Sequence, residues 1–261
     1  MALADRFDGL LIDLDGVVWV GRELVPGAVD ALRELLDRGK KIVFVTNNPG
    51  KPASAYVERL RAAGVDAGDD RVLTAGTVTA RLAAETVGEG GSAFVIGAPA
   101  FKETAAEAGL DVLDGEDGRS ADAVLVSGHR EFNYEELMTA TLSLQRGAAL
   151  FATSRDPNLP MPGGAWPGTG AILAAVETAS GRTAEIGGKP ERPLFEMARG
   201  LIAGAARVAM VGDRVASDIE GGRRAGLETI LVLSGATSRE EAERTDPAPG
   251  HVVDDLAGLL R

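Results

Sequence analysis

The stretch Leu10-Leu11-Ile12-Asp13-Leu14-Asp15-Gly16-Val17 decides the fold. A short apolar run with no helical spacing reads as a buried strand from about Leu10 to Leu14, and two carboxylates and a glycine close its carboxyl end. Outward from it the pattern alternates. A helix is expected near Ala28 to Arg38, a strand from Lys41 to Thr46, and a second helix from about Ala53 to Ala63. Gly39 and Gly64 stand just past those helices, where a left-handed residue commonly ends a helix. The alternation is that of βαβ units around a parallel sheet, a fold that does its chemistry at the carboxyl ends of the strands.

The middle of the chain repeats the alternation with strands of its own at Ala93 to Ile96, Ala123 to Val126 and Leu150 to Ala152. Helical stretches near Pro99 to Ala108 and Tyr134 to Arg146 separate them. The last third returns to buried strands at Val208 to Val211 and Thr229 to Leu233, with helices near Pro193 to Leu201 and Ser217 to Ala225. The expectation is an α/β protein: a doubly wound parallel core formed by residues 1–78 and 187–261, interrupted by a second α/β unit at about 79–186. No short repeat suggests a solenoid.

Composition narrows the function. Apolar residues make up 45% of the 261, and 34 glycines are spread between blocks, as in an ordered globular chain. The formal charge of -12 has no clustered basic stretch, which excludes a broad nucleic-acid footprint. Any phosphate bound here must meet local cations or a metal. Cysteine is absent, which removes disulfides, thiolate nucleophiles and thiolate metal sites together and makes a reducing cytoplasm the simplest compartment. No apolar stretch is long enough to cross a membrane and the amino terminus carries no basic-then-apolar leader, so a soluble cytoplasmic protein is expected.

Three further polar clusters follow apolar strand-like runs. Asp13 and Asp15 together require a bound cation or a shared proton, because two adjacent carboxylates repel. Magnesium meets the first need, since it favours one or two carboxylates plus waters and phosphate oxygens. Thr46-Asn47-Asn48, after the strand ending at Val45, offers a hydroxyl, side-chain amides and backbone N–H groups to an anion, or forms a plain turn or helix cap. Gly212-Asp213-Arg214 follows Val208-Ala209-Met210-Val211, so Asp213 faces the crevice and completes an oxygen-rich set with Asp13 and Asp15. Ser217 or Asp218 can cap the helix that follows. Lys189, in Gly187-Gly188-Lys189-Pro190, is either a point charge among small residues or an ordinary surface lysine.

Taken in order, Asp13-Leu14-Asp15-Gly16, Thr46-Asn47-Asn48, Gly188-Lys189-Pro190 and Gly212-Asp213-Arg214 with Ser217-Asp218 resemble the four motifs of the haloacid dehalogenase superfamily. The large insertion between the second and third motifs, with Asp15-Gly16-Val17-Val18-Trp19 and Thr46-Asn47-Asn48-Pro49, looks like its subfamily IIA. The resemblance implies a magnesium-dependent phosphatase of small phosphate monoesters, with phosphoglycolate, glycerol phosphate, nucleotide monophosphates and nitrophenyl phosphate as substrate types. It implies that Asp13 is the nucleophile, forming an aspartyl-phosphate, and that Asp15 is the general acid and base. Magnesium would be held by Asp13, the main-chain oxygen of Asp15 and Asp213, with Asp218 orienting a bound water. Thr46, Asn47, Asn48 and Lys189 would bind the phosphoryl oxygens.

By the same resemblance the insertion is a cap that closes over the site and supplies substrate contacts, and two caps can pair into a homodimer. Thr153-Ser154-Arg155-Asp156 corresponds to the family's Thr-Asn-x-Asp loop, with Ser154 where asparagine is usual. Arg155 either meets a substrate carboxylate or pairs with Asp156. Ser127-Gly128-His129-Arg130 stands where relatives show Gly-x-Asp. His129 and His251 are expected on the surface, the stretch from Pro160 to Gly168 is expected as a loop, and Trp166 as a packing residue. A phosphomutase would share the aspartyl-phosphate. A receiver-like signalling module would share the phosphorylated aspartate and the doubly wound sheet, but not the inserted unit. The expected partner is a small phosphorylated metabolite, with neither nucleic acid nor membrane.

Overall fold

In the computed structural model, which describes residues 1–161 and 163–261, the chain divides into two compact α/β units. The first comprises Met1–Thr46, Ala53–Leu73 and Lys189–Arg261; the second comprises Asn47–Pro52 and Thr74–Gly188. The longer segment of the second unit runs from Thr74 to Gly188. Thr74 is the N-cap of the helix Ala75–Val87, its hydroxyl accepting from the Thr77 N–H, so the segment starts at a capped helix.

The first unit is built on a six-stranded sheet. Its order is His251–Val253, Glu228–Val232, Val208–Gly212, Gly9–Asp13, Lys41–Thr46, Val72–Thr74. Gly9–Asp13 runs parallel to both neighbours, with Ile12 beside Val211 on one side and Phe44 on the other. All five of its residues are buried, which explains why the strand is continuously apolar rather than alternating. From it the chain builds the sheet outward in one direction and later returns to build it in the other. The carboxyl ends of Gly9–Asp13, Lys41–Thr46 and Val208–Gly212 thus meet at a topological switch point.

The helix Ala28–Asp37 buries Ala28, Ala31, Leu32 and Leu35, the i, i+3, i+4, i+7 stripe of a helix lying on a sheet. Each fully buried leucine contributes about 1.5–3 kcal/mol. Gly39 takes φ 75° beyond this helix and Gly64 φ 86° beyond Ala53–Ala62, as their positions predicted. The helix expected from Ser217 to Ala225 is in two parts. A π-helical turn over Val215–Ile219, in which the Ile219 N–H reaches the Arg214 carbonyl at 3.3 Å, leads into a short α-helix at Glu220–Arg224.

The second unit carries a five-stranded parallel sheet in the order Glu185–Ile186, Ala149–Ala152, Ala123–Val126, Ser92–Ile96, Asp111–Leu113. The stretch expected as a loop is a hairpin instead. Asn158–Met161 pairs antiparallel with Gly164–Pro167, placing Leu159 opposite Trp166; Pro162 lies outside the described residues. Gly163 and Gly164, at φ 88° and 138°, supply the reversal, and the prolines masked the strand pattern around it. Trp166 is 37% exposed with the Arg130 guanidinium 4.5 Å over its ring, rather than packed in a core. His129 is not on the surface: its side chain is 6% exposed between Glu131 and Glu136, at 3.6 and 3.1 Å. Glu136 is the capping-box residue of the helix Tyr134–Gln145, and that local geometry carries it to the histidine.

Candidate active site

Asp13 is the last residue of its strand, and Asp213 follows directly on Val208–Gly212. Asp218 sits in the π-helical turn. One ligand oxygen from each of these three buried carboxylates lies within 4.8 Å of the others. Lys189 stands among them, its Nζ donating to Asp13 Oδ1 at 2.8 Å and to Asp218 Oδ1 at 2.6 Å. The other oxygen of Asp218 accepts from the Arg214 N–H at 3.0 Å. Lys189 is therefore a buried cation between two carboxylates rather than a surface lysine.

Asp213 is held differently. Its Oδ2 accepts from the Ala236 N–H at 2.7 Å, and its Oδ1 is buried with no hydrogen-bond partner among the described residues. Backbone closes on this carboxylate from two sides. A Cβ at Gly16 or at Gly235 would lie 2.1 Å from Asp213 Oδ2, and Gly16 also takes φ 88°, so glycine is required there both for space and for conformation. Ser234 fastens the turn by donating to the Gly16 carbonyl at 2.7 Å. Sequence reasoning passed over Leu233-Ser234-Gly235, although it carries the same signal as the other motifs, a polar cluster just after a buried strand.

Asp15 is half-buried and belongs to a tight turn in which the Gly16 N–H donates to the Trp19 carbonyl at 2.7 Å. Its Oδ1 accepts from the Trp19 indole Nε1 at 3.1 Å, and its Oδ2 accepts from the Thr46 hydroxyl at 3.4 Å. Asn47 and Asn48 begin the segment that groups with the second unit; Asn48 Oδ1 accepts from the Gly50 N–H at 3.0 Å, an Asx turn. Arg155 lies in the second unit, where it forks onto Glu177 at 2.8 and 3.0 Å and reaches the Ala184 carbonyl at 3.2 Å.

Electrostatics set what this arrangement can do. Burial pushes the Asp13 carboxyl up to about 8; the Lys189 charge opposes the shift, and Asp218 and Asp213 add to it. Burial also raises Asp213, with Asp218 adding and the Ala236 N–H opposing. Burial works against the Lys189 ammonium, yet the charges of Asp13 and Asp218 hold it above the ordinary lysine range. Three ionised carboxylates around one ammonium leave two negative charges in a buried space, which is costly unless a cation shares it. A divalent ion would balance that charge and give the orphaned Asp213 Oδ1 a partner. The donor set, all oxygen, fits a hard cation.

The comparisons agree with this geometry. Residues 10–111 match the family described as haloacid dehalogenase-like hydrolase, and residues 186–259 match the one described as HAD-hydrolase-like. The chain is 37% identical to a glycerol-3-phosphate phosphatase of Gallus gallus, over 99% of this chain and 93% of that protein. It is 33% identical to the 5'-nucleotidase YutF of Bacillus subtilis, over 96% of each. Among solved structures, the glycerol phosphate phosphatase of Mycobacterium tuberculosis in complex with magnesium superposes with a TM-score of 0.89 at 32% identity, over 100% of this chain and 78% of that one. Motif order, strand-end geometry and similarity along nearly the whole length converge, and the chain belongs to the haloacid dehalogenase-like hydrolases, in their subfamily IIA.

Proposed function

We propose that this chain is a magnesium-dependent phosphatase that hydrolyses small phosphate monoesters through a phosphorylated Asp13. The observation that carries the reading is the buried cluster of Asp13, Asp213 and Asp218 around Lys189, with Asp213 Oδ1 unpaired among the described residues. Its charge excess suits a cation and its position at the sheet's switch point suits a phosphoryl group. The relatives' names point the same way, since they act on glycerol phosphate or nucleotides and one is solved with magnesium.

In the first half-reaction, an oxygen of Asp13 attacks phosphorus as the ester P–O bond breaks. Asp15 gives its proton to the departing oxygen, which leaves as an alcohol. In the second, water attacks the aspartyl-phosphate and surrenders a proton to Asp15, releasing phosphate and restoring both side chains. Lys189 holds Asp13 in line and offsets negative charge as the phosphoryl group transfers. Thr46 and Asn47 supply donors to phosphoryl oxygens. Magnesium, held by Asp13, Asp213 and the main-chain oxygen of Asp15 with Asp218 supporting, would supply charge neutralisation on the transferring group. The second unit acts as a cap that contributes substrate contacts and excludes water from the intermediate.

The test is phosphate release from a panel of glycerol, nucleotide, sugar and nitrophenyl phosphates, with magnesium, with EDTA and with Asp13→Asn. Magnesium-dependent release that Asp13→Asn abolishes is the expected result. Phosphorylation of Asp13 without release of phosphate would replace the phosphatase with a phosphomutase. No phosphorylation would remove Asp13 from the nucleophile's role.

A further inference from the structure

Trp19 is the largest fully buried side chain of the first unit, and as core it needs no further explanation. Its surroundings are more specific than that. The turn after the first strand folds back sharply: the N–H groups of Val18 and Trp19 reach the Leu14 carbonyl at 2.9 and 3.2 Å, and Trp19 forms a bridge with Asp15. The indole is thereby returned beside the carboxylate it follows by four residues, with Nε1 3.1 Å from Asp15 Oδ1.

The ring is fixed from a second element. Tyr56 and Arg59 lie three residues apart on the helix Ala53–Ala62 and so share one of its faces. Tyr56 stacks on the indole at 6.4 Å with planes 10° apart, and the Arg59 guanidinium sits 3.9 Å from the ring centroid. Arg59 is anchored in turn, donating to the Gly21 carbonyl at 2.9 Å. A cation over the ring is attracted to its π electrons, which helps to hold the indole in place. A buried indole N–H needs an acceptor; here the acceptor is an acid, and the ring that serves it is held by two side chains of another element.

An indole N–H donates and never accepts. Both oxygens of Asp15 accept, Oδ1 from the indole and Oδ2 from the Thr46 hydroxyl, so these two donors set the plane of the carboxyl group. We infer that Trp19 is the positioning residue of the Asp15 acid: its clamped indole N–H fixes Oδ1 and so holds the carboxyl group in one orientation, with the Thr46 hydroxyl on the other oxygen. The inference rests on the acid and base role given to Asp15 above. In the step concerned, the ester P–O bond breaks as the proton of the Asp15 carboxyl passes to the leaving oxygen. On hydrolysis of the aspartyl-phosphate, a proton of the attacking water returns to that carboxyl. The net reaction is ester plus water to alcohol plus phosphate.

The experiment compares kcat/KM for an alkyl phosphate, whose alkoxide needs a proton to leave, with that for 4-nitrophenyl phosphate, whose phenolate does not. Four proteins are compared with magnesium present: wild type, Asp15→Asn, Trp19→Phe, and a variant with Trp19 replaced by 3-benzothienylalanine, which keeps the bicyclic shape and lacks the N–H. The last variant should fall about 10-fold or more on the alkyl ester and less than about 3-fold on the aryl ester, the pattern of a damaged general acid. Trp19→Phe should show the same selectivity on top of a general loss from the void. Equal losses on both esters, or none, in the benzothienyl variant would overturn the role of Trp19. Asp15→Asn separates this from the parent reading. If it discriminates strongly between the esters while the benzothienyl variant does not, only the Trp19 inference falls; if it does not discriminate, the acid role of Asp15 falls and the inference falls with it.

Discussion

The Nζ of Lys189 lies 2.8 Å from Asp13 Oδ1, with the lysine side chain 2% and the aspartate 7% exposed. Water does little to screen this pair, so its removal differs from the loss of a surface ion pair. Lys189→Met leaves Asp13 and Asp218 buried without their cation. Breaking a buried pair by removing one partner costs about 3–5 kcal/mol, and the lost charge should lower kcat by about 100-fold or more. Denaturant unfolding above the Asp13 value of about 8, where the pair is ionised, checks the first figure and steady-state kinetics the second. Unchanged stability there would contradict a buried ion pair.

The same cluster sets a pH dependence that magnesium should reverse. The folded-state Asp13 carboxyl is pushed up to about 8 from an ordinary value of 3.8. Between those values the folded chain binds a proton that the unfolded chain does not, so this contribution to stability is full below the lower value and is lost as pH rises through the upper one. The metal-free protein should therefore become less stable between about pH 4 and 8 through this group, and Asp13→Asn should flatten that part of the profile. Magnesium binds the ionised cluster, so the rise in Tm that it produces should grow with pH. Thermal scans at pH 5.5 and 8 with EDTA or magnesium measure it; a magnesium shift that shrinks with pH would contradict the assignment.

How far such a site is legible in sequence depends on whether its parts are set locally or by docking. Asp13, Thr46 and Asp213 were readable because each ends a buried strand, and a strand end in a parallel sheet has a known destination. The turns that place Gly39 and Gly64 were readable for the same local reason. The stacking of Tyr56 and Arg59 on Trp19 was not, because it depends on how one helix face docks on a turn more than thirty residues away in sequence. The Arg155 fork onto Glu177 was hidden likewise, since Asp156 was the nearer acid along the chain. Strands of two or three residues, such as Glu185–Ile186 and Asp111–Leu113, are too short to show a period.

Gly16 offers a test of backbone rather than charge. At φ 88° an alanine is strained, and its Cβ would lie 2.1 Å from Asp213 Oδ2. Strain in this region costs about 1–2 kcal/mol, and the carboxylate must also move away from the Ala236 N–H that holds it. Gly16→Ala should lower activity by at least about 100-fold, because displacing a carboxylate by an ångström is enough to misalign a metal and phosphate site. Magnesium titration followed by Tm should show weakened binding beside the lost turnover. A Gly16→Ala protein with normal magnesium affinity would show that Asp213 is free to adjust.

Arg155 separates a structural from a substrate-binding role. Its guanidinium donates to both oxygens of Glu177, which also accepts from the Ala184 N–H at 2.8 Å. The Arg155 hydrogen bond holds the Glu177 carboxyl below its ordinary range, with burial opposing and the Ala184 N–H adding. A depressed carboxyl stabilises the fold above its unfolded value of 4.5 and loses that contribution as pH falls through the folded one. Arg155 is 46% exposed, so Arg155→Ala should cost only about 1 kcal/mol, a Tm drop of about 2–4 °C at pH 7. The drop should shrink in acid, where Glu177 is neutral in both proteins. KM for the best ester should change by less than about 3-fold, because an arginine spent on Glu177 contributes to the shape of the second unit rather than to binding. A KM raised by about 10-fold with Tm unchanged, the loss expected of one ion pair to a ligand, would instead place the guanidinium on the substrate.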